Sequence, residues 1–424
     1  MTMTILRAKA FDVCKLAQLA EWLAVGVAVS LPWSTTATAI LIALWLAAVL
    51  PTLSVDLVRR ELVTAAGGLP VLLWLLGAAG MLWADIPWSE RLGAFGAFHR
   101  LLALPLLLAQ FRRSGNGARV FDGFLVSTTC LLLASWAFAL VPALSHFTNS
   151  RGVPVHDYVL QSGEFLMCAF ALLGATSDLW RAKKSRVALA CVLLATFFLA
   201  NIAFVVTSRT TLLVVPALVL LLGWKQFGWK GLIGAAIVGS VACFVLYAAS
   251  PNLREKLERS VSEFQTYRAN DADNSTGEHI DFLLRSLRII ATAPLIGHGT
   301  GSIAEQFRLT EIERSDASSG QTASSVRSNN PHNQIFAVAV QLGAIGVALL
   351  IGMWAAHFML FGGGGLNAWI GLIVVAQNVV SSLFNSHLFD FSQGWLYVFG
   401  VGVAGGVALR ERDGAHAARH ASAP

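Results

Sequence analysis

The chain has 424 residues, of which 56% are hydrophobic and 13% are charged, and its formal net charge is +6. This balance excludes an ordinary soluble protein, whose share of charged residues is roughly 25%. It indicates an integral membrane protein. Leu, Ala, Val and Gly dominate, as helical spans require, whereas the strands of a membrane β-barrel would alternate between apolar and polar residues.

Twelve apolar segments are predicted to cross the membrane as helices. They cover approximately residues 16–32, 36–51, 66–84, 97–111, 119–143, 158–180, 187–206, 210–224, 230–250, 334–357, 365–386 and 393–409. Most approach the ~20 residues that a helix needs to span a bilayer. The predicted fold class is therefore an all-α integral membrane protein with about 12 transmembrane helices, as a single polytopic domain over residues 1–424.

Lys and Arg are distributed unevenly among the loops. If the N-terminus lies inside, more than half of the 30 basic residues fall in short inner loops and tails, in clusters such as Arg112-Arg113 and Lys183-Lys184. The short outer loops then hold few basic residues, one of which is Arg209. By the positive-inside rule, both termini are predicted to be cytoplasmic.

Residues 251–333 form one long polar stretch between predicted helices nine and ten. We interpret it as a large outer loop, since loops of such length are usually functional or disordered. Apolar residues at helical spacing predict an amphipathic helix near residues 278–293, on the outer surface or capping the bundle. They are Ile280, Leu283, Leu284, Leu287 and Ile290. Arg285 and Arg288 fall on another face, where they could bind a phosphate or anionic head groups.

The long loop ends in Asn-Pro-His-Asn, residues 330–333, before a nearly continuous apolar run. Asn330 is a suitable N-cap and its Pro neighbour suits the first turn, so a helix is predicted to start here with His332 and Asn333 at its mouth. Gly343 and Gly346 would lie roughly 16 to 21 Å deeper at 1.5 Å per residue. We expect them to let a neighbouring helix approach closely.

His332 is the first candidate for chemistry. The dipole of a helix N-terminus favours the neutral imidazole, which is the form that a general base needs. A capping or interfacial histidine is the alternative reading. Arg209, in a polar turn between two apolar runs, could hold a phosphate through paired hydrogen bonds, or could be an arginine that extends to the membrane interface.

Several other polar groups are weaker candidates. The glycine-rich stretch 294–301 could cradle an anion through backbone N–H groups, although a flexible return toward the membrane is favoured, and His298 within it is a second catalytic candidate. His387 and Asp390 could bind sugar hydroxyls or cap helices. Asp271 and Asp273 have a spacing that suits divalent metals, but their polar context favours a solvated turn, and we predict no metal site.

Three motifs carry a resemblance to a known family. His332-Asn333, nine further residues and the Gly343-x-x-Gly346 pair resemble the His-[Asn/Ser/Gln]-x9-Gly-x-x-Gly pattern of bacterial O-antigen ligases. Their superfamily also includes O-antigen polymerases and some protein O-oligosaccharyltransferases. Arg209-Thr-Thr-Leu-Leu213 is similar to the family's Arg-x3-Leu element, and residues 294–301 resemble a third element. The specific motifs cover about residues 207 to 346.

The resemblance implies a C-type glycosyltransferase membrane fold in the bacterial inner membrane, with residues 251–333 as a large periplasmic loop. It implies His332 as the catalytic base and Arg209 as a pyrophosphate ligand. The family usually places a second arginine shortly after a Gly-Glu pair, but here His279 follows that pair. Arg285 or Arg288 could take its place, and Asn333, His298, His387 and Asp390 are secondary candidates.

The implied reaction transfers O-antigen from undecaprenyl pyrophosphate to a hydroxyl of lipid A–core at the periplasmic face. It would invert the anomeric centre and use neither a metal nor a cofactor. The expected partners are this donor, this acceptor and membrane lipids, with no nucleic acid. An O-antigen polymerase or a protein O-oligosaccharyltransferase remains an alternative. A membrane transporter is the alternative from another class, and a substrate site at the bilayer midplane would favour it.

Overall fold

The computed structural model describes the backbone of residues 2–141, 151–155, 157–206, 208–270, 275–317 and 331–421. Within these ranges every regular element is a helix. Among the described residues, nine helices are long and apolar enough to cross a membrane, or ten if one bent pair of helices is a single span. The described part of the chain is thus that of an all-α, multi-pass membrane protein, as its composition predicts.

Sixteen α-helices follow one another in the described part of the chain. They are α1 (Thr2–Ser30), α2 (Thr35–Val49), α3 (Val55–Leu62), α4 (Ala65–Gly80), α5 (Trp88–Phe95), α6 (Ala103–Arg113), α7 (Gly117–Leu140), α8 (Tyr158–Arg181), α9 (Ser185–Phe204), α10 (Arg209–Ala249), α11 (Pro251–Asn270), α12 (Ser275–Thr292), α13 (Ile303–Ala317), α14 (Gln334–Leu360), α15 (Leu366–Ser381) and α16 (Phe391–Ala421). The bent pair is α3 with α4, at 89°.

Polar residues at the helix starts explain several of these boundaries. Ser34 accepts a hydrogen bond from the Ala37 N–H at 3.2 Å, and Thr64 accepts one from Gly67 at the same distance. Each satisfies one of the N–H groups that the first turn of a helix leaves unpaired. The apolar runs therefore become helices with defined starts, and in the core that they form α15 packs against both α8 and α16.

Helix α10 is interrupted at Gly228, which has φ 60° and ψ −143°. A Cβ on Gly239 would lie 3.4 Å from the Val219 side chain. In one straight helix these two residues would be about 30 Å apart, so the chain reverses its direction at Gly228. The two helical segments on either side correspond to the separate apolar runs 210–224 and 230–250.

Helix α14 is interrupted in the same way at Gly343, which has φ 61° and ψ −160°. A Cβ on Gly346 would lie 3.0 Å from Val338, a residue that would be about 12 Å away in a straight helix. The segment Gln334–Leu342 therefore turns sharply away from the rest of α14. The expectation of one continuous helix with both glycines deep inside it is wrong, because Gly343 takes a backbone conformation that ends the first segment.

The glycine-rich loop 294–301 occupies this interruption. Its Pro294 carbonyl accepts a hydrogen bond from the Ala344 N–H at 2.8 Å, and its His298 N–H donates to the Val340 carbonyl at the same distance. A Cβ on Gly343 would overlap the backbone of Leu295. Gly343 thus admits a loop, whereas Gly346 faces Val338 and Leu342 in the first segment of α14 itself. The loop satisfies backbone groups that the break would otherwise leave unpaired.

The two ends of the bundle can be named by their residues. The His332 end comprises the start of α14, the loop 382–390 and the starts of α8, α10 and α16. The Arg112 end comprises the ends of α6 and α14, helix α3 and the later part of α16. At the Arg112 end, Arg112 donates to Glu61 at 2.9 Å and to Asp413 at 2.8 Å.

Helix α12 covers the range where an amphipathic helix is predicted on the outer surface or capping the bundle. Phe282 and Ile289 are buried, and they pack with Phe307 and Val340. Leu283, Leu284 and Leu287 of the expected apolar stripe are instead 39%, 45% and 48% exposed. Contacts with residues distant in the chain, such as that between Phe282 and Phe307, determine which face of α12 packs inward. Helical spacing alone does not specify these contacts.

Candidate active site

His332 lies immediately before the residue that caps α14. The Asn333 side chain accepts hydrogen bonds from Ile335 and Phe336 at 2.9 and 3.2 Å, so Asn333 is the N-cap and the helix begins at Gln334. The prediction that placed the cap at Asn330 is therefore wrong by three residues. Asn330 itself lies outside the described residues.

The backbone of His332 is in the left-handed region, with φ 46°. Non-glycine residues adopt this conformation infrequently, and it often occurs at functional sites. The imidazole is half-buried, and its ring centroid lies 5.6 Å from that of Phe282 in α12. His332 thus sits between α12 and the N-terminus of α14, where the helix dipole disfavours a positive charge on its ring.

The loop 382–390 fixes the start of α14. The Gln334 N–H donates to the Ser382 carbonyl at 2.8 Å, and the Gln334 side-chain oxygen accepts from the Leu388 N–H at 2.9 Å. The Asn333 amide also donates to the Leu383 carbonyl at 3.0 Å. The position of His332 is consequently coupled to the loop that carries His387.

His387 is 2% exposed and lines a small cavity at the His332 end. Burial lowers the pKa of His387 to about 4, so its ring is neutral at neutral pH. Its Nδ1 has no hydrogen-bond partner among the described residues. The other lining residues include Thr210, Thr211 and Gln377. A neutral histidine thus shares a cavity with the first turn of α10.

Arg209 is the first residue of α10 and is half-buried. This first turn is anchored to α8, because the hydroxyls of Thr211 and Ser162 lie 2.8 Å apart. The partial positive charge of a helix N-terminus favours anions at this position. The structure therefore places Arg209 and the His387 cavity at one end of the bundle, beside the start of α14.

Arg285 and Arg288, the two candidates for a second pyrophosphate-binding arginine, lie in different surroundings on α12. Arg285 is 7% exposed, and its guanidinium lies 2.7 Å from the Asp281 carboxylate. Arg288 is exposed. Because Asp281 already compensates the charge of Arg285, Arg288 has the chemistry that better suits an incoming anion.

The last N–H groups of the loop 294–301 do not form an anion cradle, which the sequence left open as the less favoured role of this loop. The Gly299 N–H donates to the Gln341 carbonyl at 2.9 Å, the Thr300 N–H to the Gly80 carbonyl at 3.1 Å, and the Gly301 N–H to the Gln341 side chain at 2.7 Å. These N–H groups are already used within the protein. The His298 Nε2 lies 3.0 Å from the Ile289 carbonyl, an acceptor, so we assign it as a donor.

Asp390 has the capping role that the sequence left open. Its side chain accepts hydrogen bonds from the backbone of Phe391 and Ser392 at the start of α16. Arg100, 6% exposed, donates to the Phe389 carbonyl at 3.3 Å and also to the Asp390 carbonyl. These contacts hold the loop 382–390 against the bundle, so Asp390 acts mainly on the position of that loop.

One comparison with known proteins identifies the central segment. Residues 194–351 match the O-antigen ligase family. The matched segment includes Arg209, the loop 294–301, His332 and the Gly343-x-x-Gly346 pair, so the resemblance carried by these motifs is confirmed. Members of this family are glycosyltransferase-like enzymes. No curated protein matches the chain.

Several polar residues of this O-antigen ligase-like chain lie where sequence reasoning expected none. Gln377 and Gln393 line the cavity of His387, and Glu164 and His357 are fully buried within spans. Glu164 lies near the start of α8 and His357 near the end of α14, so neither stands at the middle of its span. A polar residue inside an apolar run was the available signal, but such a residue gives no indication of its neighbours.

Metal ligands were also sought among the described residues. These residues contain no group of three or more His, Cys, Asp and Glu side chains that could hold a metal ion. Asp271 and Asp273 lie outside the described part of the chain.

Proposed function

We propose that this chain is an O-antigen ligase, which transfers a polysaccharide from undecaprenyl pyrophosphate to a hydroxyl of lipid A–core. The observation that carries the proposal is the position of His332. It stands in a left-handed conformation at the start of α14, inside the segment that matches the O-antigen ligase family. Arg209 starts α10 at the same end of the bundle.

The proposed mechanism is a single displacement. His332 takes the proton of the acceptor hydroxyl, whose oxygen attacks the anomeric carbon of the first sugar. The bond from that carbon to the pyrophosphate oxygen breaks, and the electron pair leaves with undecaprenyl pyrophosphate. Arg209, with Arg288 as the second arginine, neutralises the charge that develops on the leaving group. One in-line attack inverts the anomeric centre.

This mechanism requires the His332 end to face the periplasm of the inner membrane. Counting α10 as two spans at Gly228, the α3–α4 pair as one and α15 as one gives the twelve spans of the sequence prediction. With both termini cytoplasmic, a cysteine at Ser318 should be labelled from outside intact cells in a Cys-free background. A cysteine at Gly115 should not, and the reverse result would overturn the orientation.

A reconstituted assay tests the activity itself. Purified protein in lipid vesicles receives a lipid-linked glycan and lipid A–core, and the products are separated by size. Ligation predicts glycan-bearing lipid A–core. Elongation of one lipid-linked glycan by another would instead identify a polymerase, glycan on an added acceptor peptide would identify a protein O-oligosaccharyltransferase, and movement of the lipid-linked glycan without any transfer would support a transporter.

We also propose that no metal takes part. The motivation is the polar, turn-like context of Asp271 and Asp273 and the metal-free reaction that the family resemblance implies. Transfer in the same assay should survive EDTA and the double change Asp271→Asn with Asp273→Asn. Loss of transfer on chelation that returns with added Mg²⁺ or Mn²⁺ would contradict this part of the proposal.

A further inference from the structure

Two small adjoining cavities lie at the His332 end, between the outer turns of α8, α15 and α16. Both are lined by Gln377 and Ser381 of α15 and by Gln393 of α16. The first also reaches His387 and the first turn of α10, where Thr210 follows Arg209. The second continues toward other residues of α15 and α16. A polar recess therefore opens beside the helix N-terminus that would receive the pyrophosphate.

Polar atoms in this recess lack partners. The Gln377 Oε1, the Asn378 Oδ1 and the His387 Nδ1 have no hydrogen-bond partner among the described residues, although their side chains are 6%, 6% and 2% exposed. The orientation of Gln377 is fixed, because its Nε2 donates to the Gly163 carbonyl at 3.1 Å. Its oxygen is therefore the atom left unpaired. Buried polar atoms are nearly always paired, so this group requires an explanation.

The unpaired atoms define the ligand chemistry. The Gln and Asn oxygens only accept hydrogen bonds, so they require a donor such as a hydroxyl or an amide N–H. A pyrophosphate offers acceptor oxygens and would leave them unpaired. The residues lining the two cavities carry no Asp, Glu, Lys or Arg. A neutral, hydroxyl-bearing group fits this recess, and an anion does not.

We propose that the Gln377 recess binds a hydroxyl or acetamido substituent of the first sugar of the lipid-linked donor. Arg209 would hold the pyrophosphate at the N-terminus of α10, while Gln377, Asn378 and Gln393 bind the sugar attached to it. This inference rests on the proposed function. It divides the donor site into a charged part that holds the carrier and a neutral part that selects the saccharide.

Binding measurements on purified protein test this division. Three ligands are compared on the wild type and on Gln377→Leu: lipid-linked glycan, undecaprenyl pyrophosphate without sugar, and lipid A–core. Gln377→Leu should weaken binding of the glycan-bearing donor about tenfold, which corresponds to one lost hydrogen bond in a buried site. It should leave binding of the sugar-free carrier and of lipid A–core unchanged.

A matched control comes from the opposite end of the bundle. The Gln226 amide also donates to a carbonyl of α8, that of Gly174 at 3.4 Å. Gln226→Leu should therefore change binding of none of the three ligands. Ser381→Ala is a milder variant that should weaken glycan binding in the same direction as Gln377→Leu. On unaltered protein, a donor whose first sugar lacks one hydroxyl or its acetamido group should bind more weakly than the natural donor.

The outcomes separate the inference from the proposed function. In one outcome, the wild type binds lipid-linked glycan, while Gln377→Leu weakens binding of this donor and of the sugar-free carrier equally. The recess would then be structural, and the inference would fail while the proposed function stands. Weakened binding of lipid A–core only would assign the recess to the acceptor and overturn the donor assignment. If the wild type binds no lipid-linked glycan, the proposed function fails and the inference fails with it.

Discussion

The polar groups at the two ends of the bundle differ in how they are paired. At the Arg112 end the charged groups are paired: one guanidinium donates to both Glu61 and Asp413, and Arg60 also reaches Asp413 at 3.1 Å. Two buried atoms there, Glu61 Oε2 and Gln110 Nε2, have no partner among the described residues. At the His332 end, buried oxygens of Gln377 and Asn378 have no partner among the described residues. Paired charges tie helices together, whereas unpaired polar atoms lower stability and are retained where a ligand can satisfy them.

This contrast assigns different tasks to the two ends. Changes at the Arg112 end should reduce stability and leave the turnover of folded protein near normal. Changes to His332 or Arg209 should reduce turnover and leave the folded protein intact. Gly343 is expected to be an exception, because the structure of the His332 end depends on its backbone conformation.

The largest effect is expected from Gly343→Leu. Gly343 has φ 61°, and a Cβ there would overlap the Leu295 backbone. We expect most of the folded protein to be lost from the membrane, as measured by the monodisperse peak after detergent extraction. Gly228→Leu is the matched control, since Gly228 has φ 60° but no atom within 4 Å of its Cβ position. That control should cost only about 1–3 kcal/mol, as for a residue held in a sparsely populated backbone conformation. Equal yields of the two variants would show that the loop 294–301 does not require the break.

The same glycine shows what sequence reasoning could and could not predict. The apolar runs predicted the helices and their order, because the composition and length of a segment are enough to identify a helix that can span a membrane. The Gly-x-x-Gly spacing was visible too, but it did not indicate whether a helix or a loop meets the pair. That depends on Leu295, 48 positions away in the chain, and local pattern carries no information about such a contact.

The candidate site divides in the same way. His332 and Arg209 could be identified because a polar turn at a helix start is a local feature. Gln377 and Glu164 could not be identified in this way. Each is an isolated polar residue in an apolar run, and the adjacent sequence does not indicate which residues it contacts in the fold. The buried face of α12 is a related case, because the sequence predicted an amphipathic helix but did not indicate which of its faces packs inward. Its leucines have helical spacing, but Phe282 packs against His332 and Phe307, and these long-range contacts set the rotation of the helix.

His332→Ala should give the largest effect on turnover in protein that still folds. Loss of a general base typically costs roughly 10²- to 10⁴-fold in rate, with donor binding largely spared. The measurement pairs turnover with donor binding on purified protein. His298→Ala is the control, because the His298 ring bonds to the Ile289 carbonyl near the end of α12. If His332→Ala loses donor binding but recovers turnover at saturating donor, His332 is a binding residue and His387 becomes the candidate base.

Arg209→Ala should follow closely, with a loss of roughly 10²- to 10³-fold in transfer, as for removal of a group that stabilises developing charge. Arg209→Lys should restore only part of this, because a point charge cannot form two parallel hydrogen bonds with a phosphate. Membrane levels of both variants should match the wild type. Full transfer by Arg209→Ala would mean that the pyrophosphate is held elsewhere.

At the opposite end, Glu61→Gln should lower stability. Glu61 is 1% exposed and Arg112 13%, and breaking a buried pair costs about 3–5 kcal/mol. Because Arg112 keeps Asp413, we expect a loss near the lower limit, about 3 kcal/mol. The readout is the thermal unfolding midpoint in detergent, with turnover measured well below it. A Glu61→Gln protein with normal stability and reduced transfer would contradict the division between the ends.

The smallest effect is expected from Asp413→Asn, the other partner of the same guanidinium. Asp413 is 47% exposed, and ion pairs in contact with water contribute only about 0–1 kcal/mol. Its bonds to Arg112 lie at 2.8 and 3.0 Å, as short as the Glu61 bond, so geometry alone would predict equal effects. Solvent exposure predicts that Asp413→Asn shifts the unfolding midpoint far less than Glu61→Gln, and that added salt abolishes its small contribution. Equal shifts for the two variants would show that Asp413 is screened from water in the membrane, and that the Arg112 end is held by a fully buried ionic cluster.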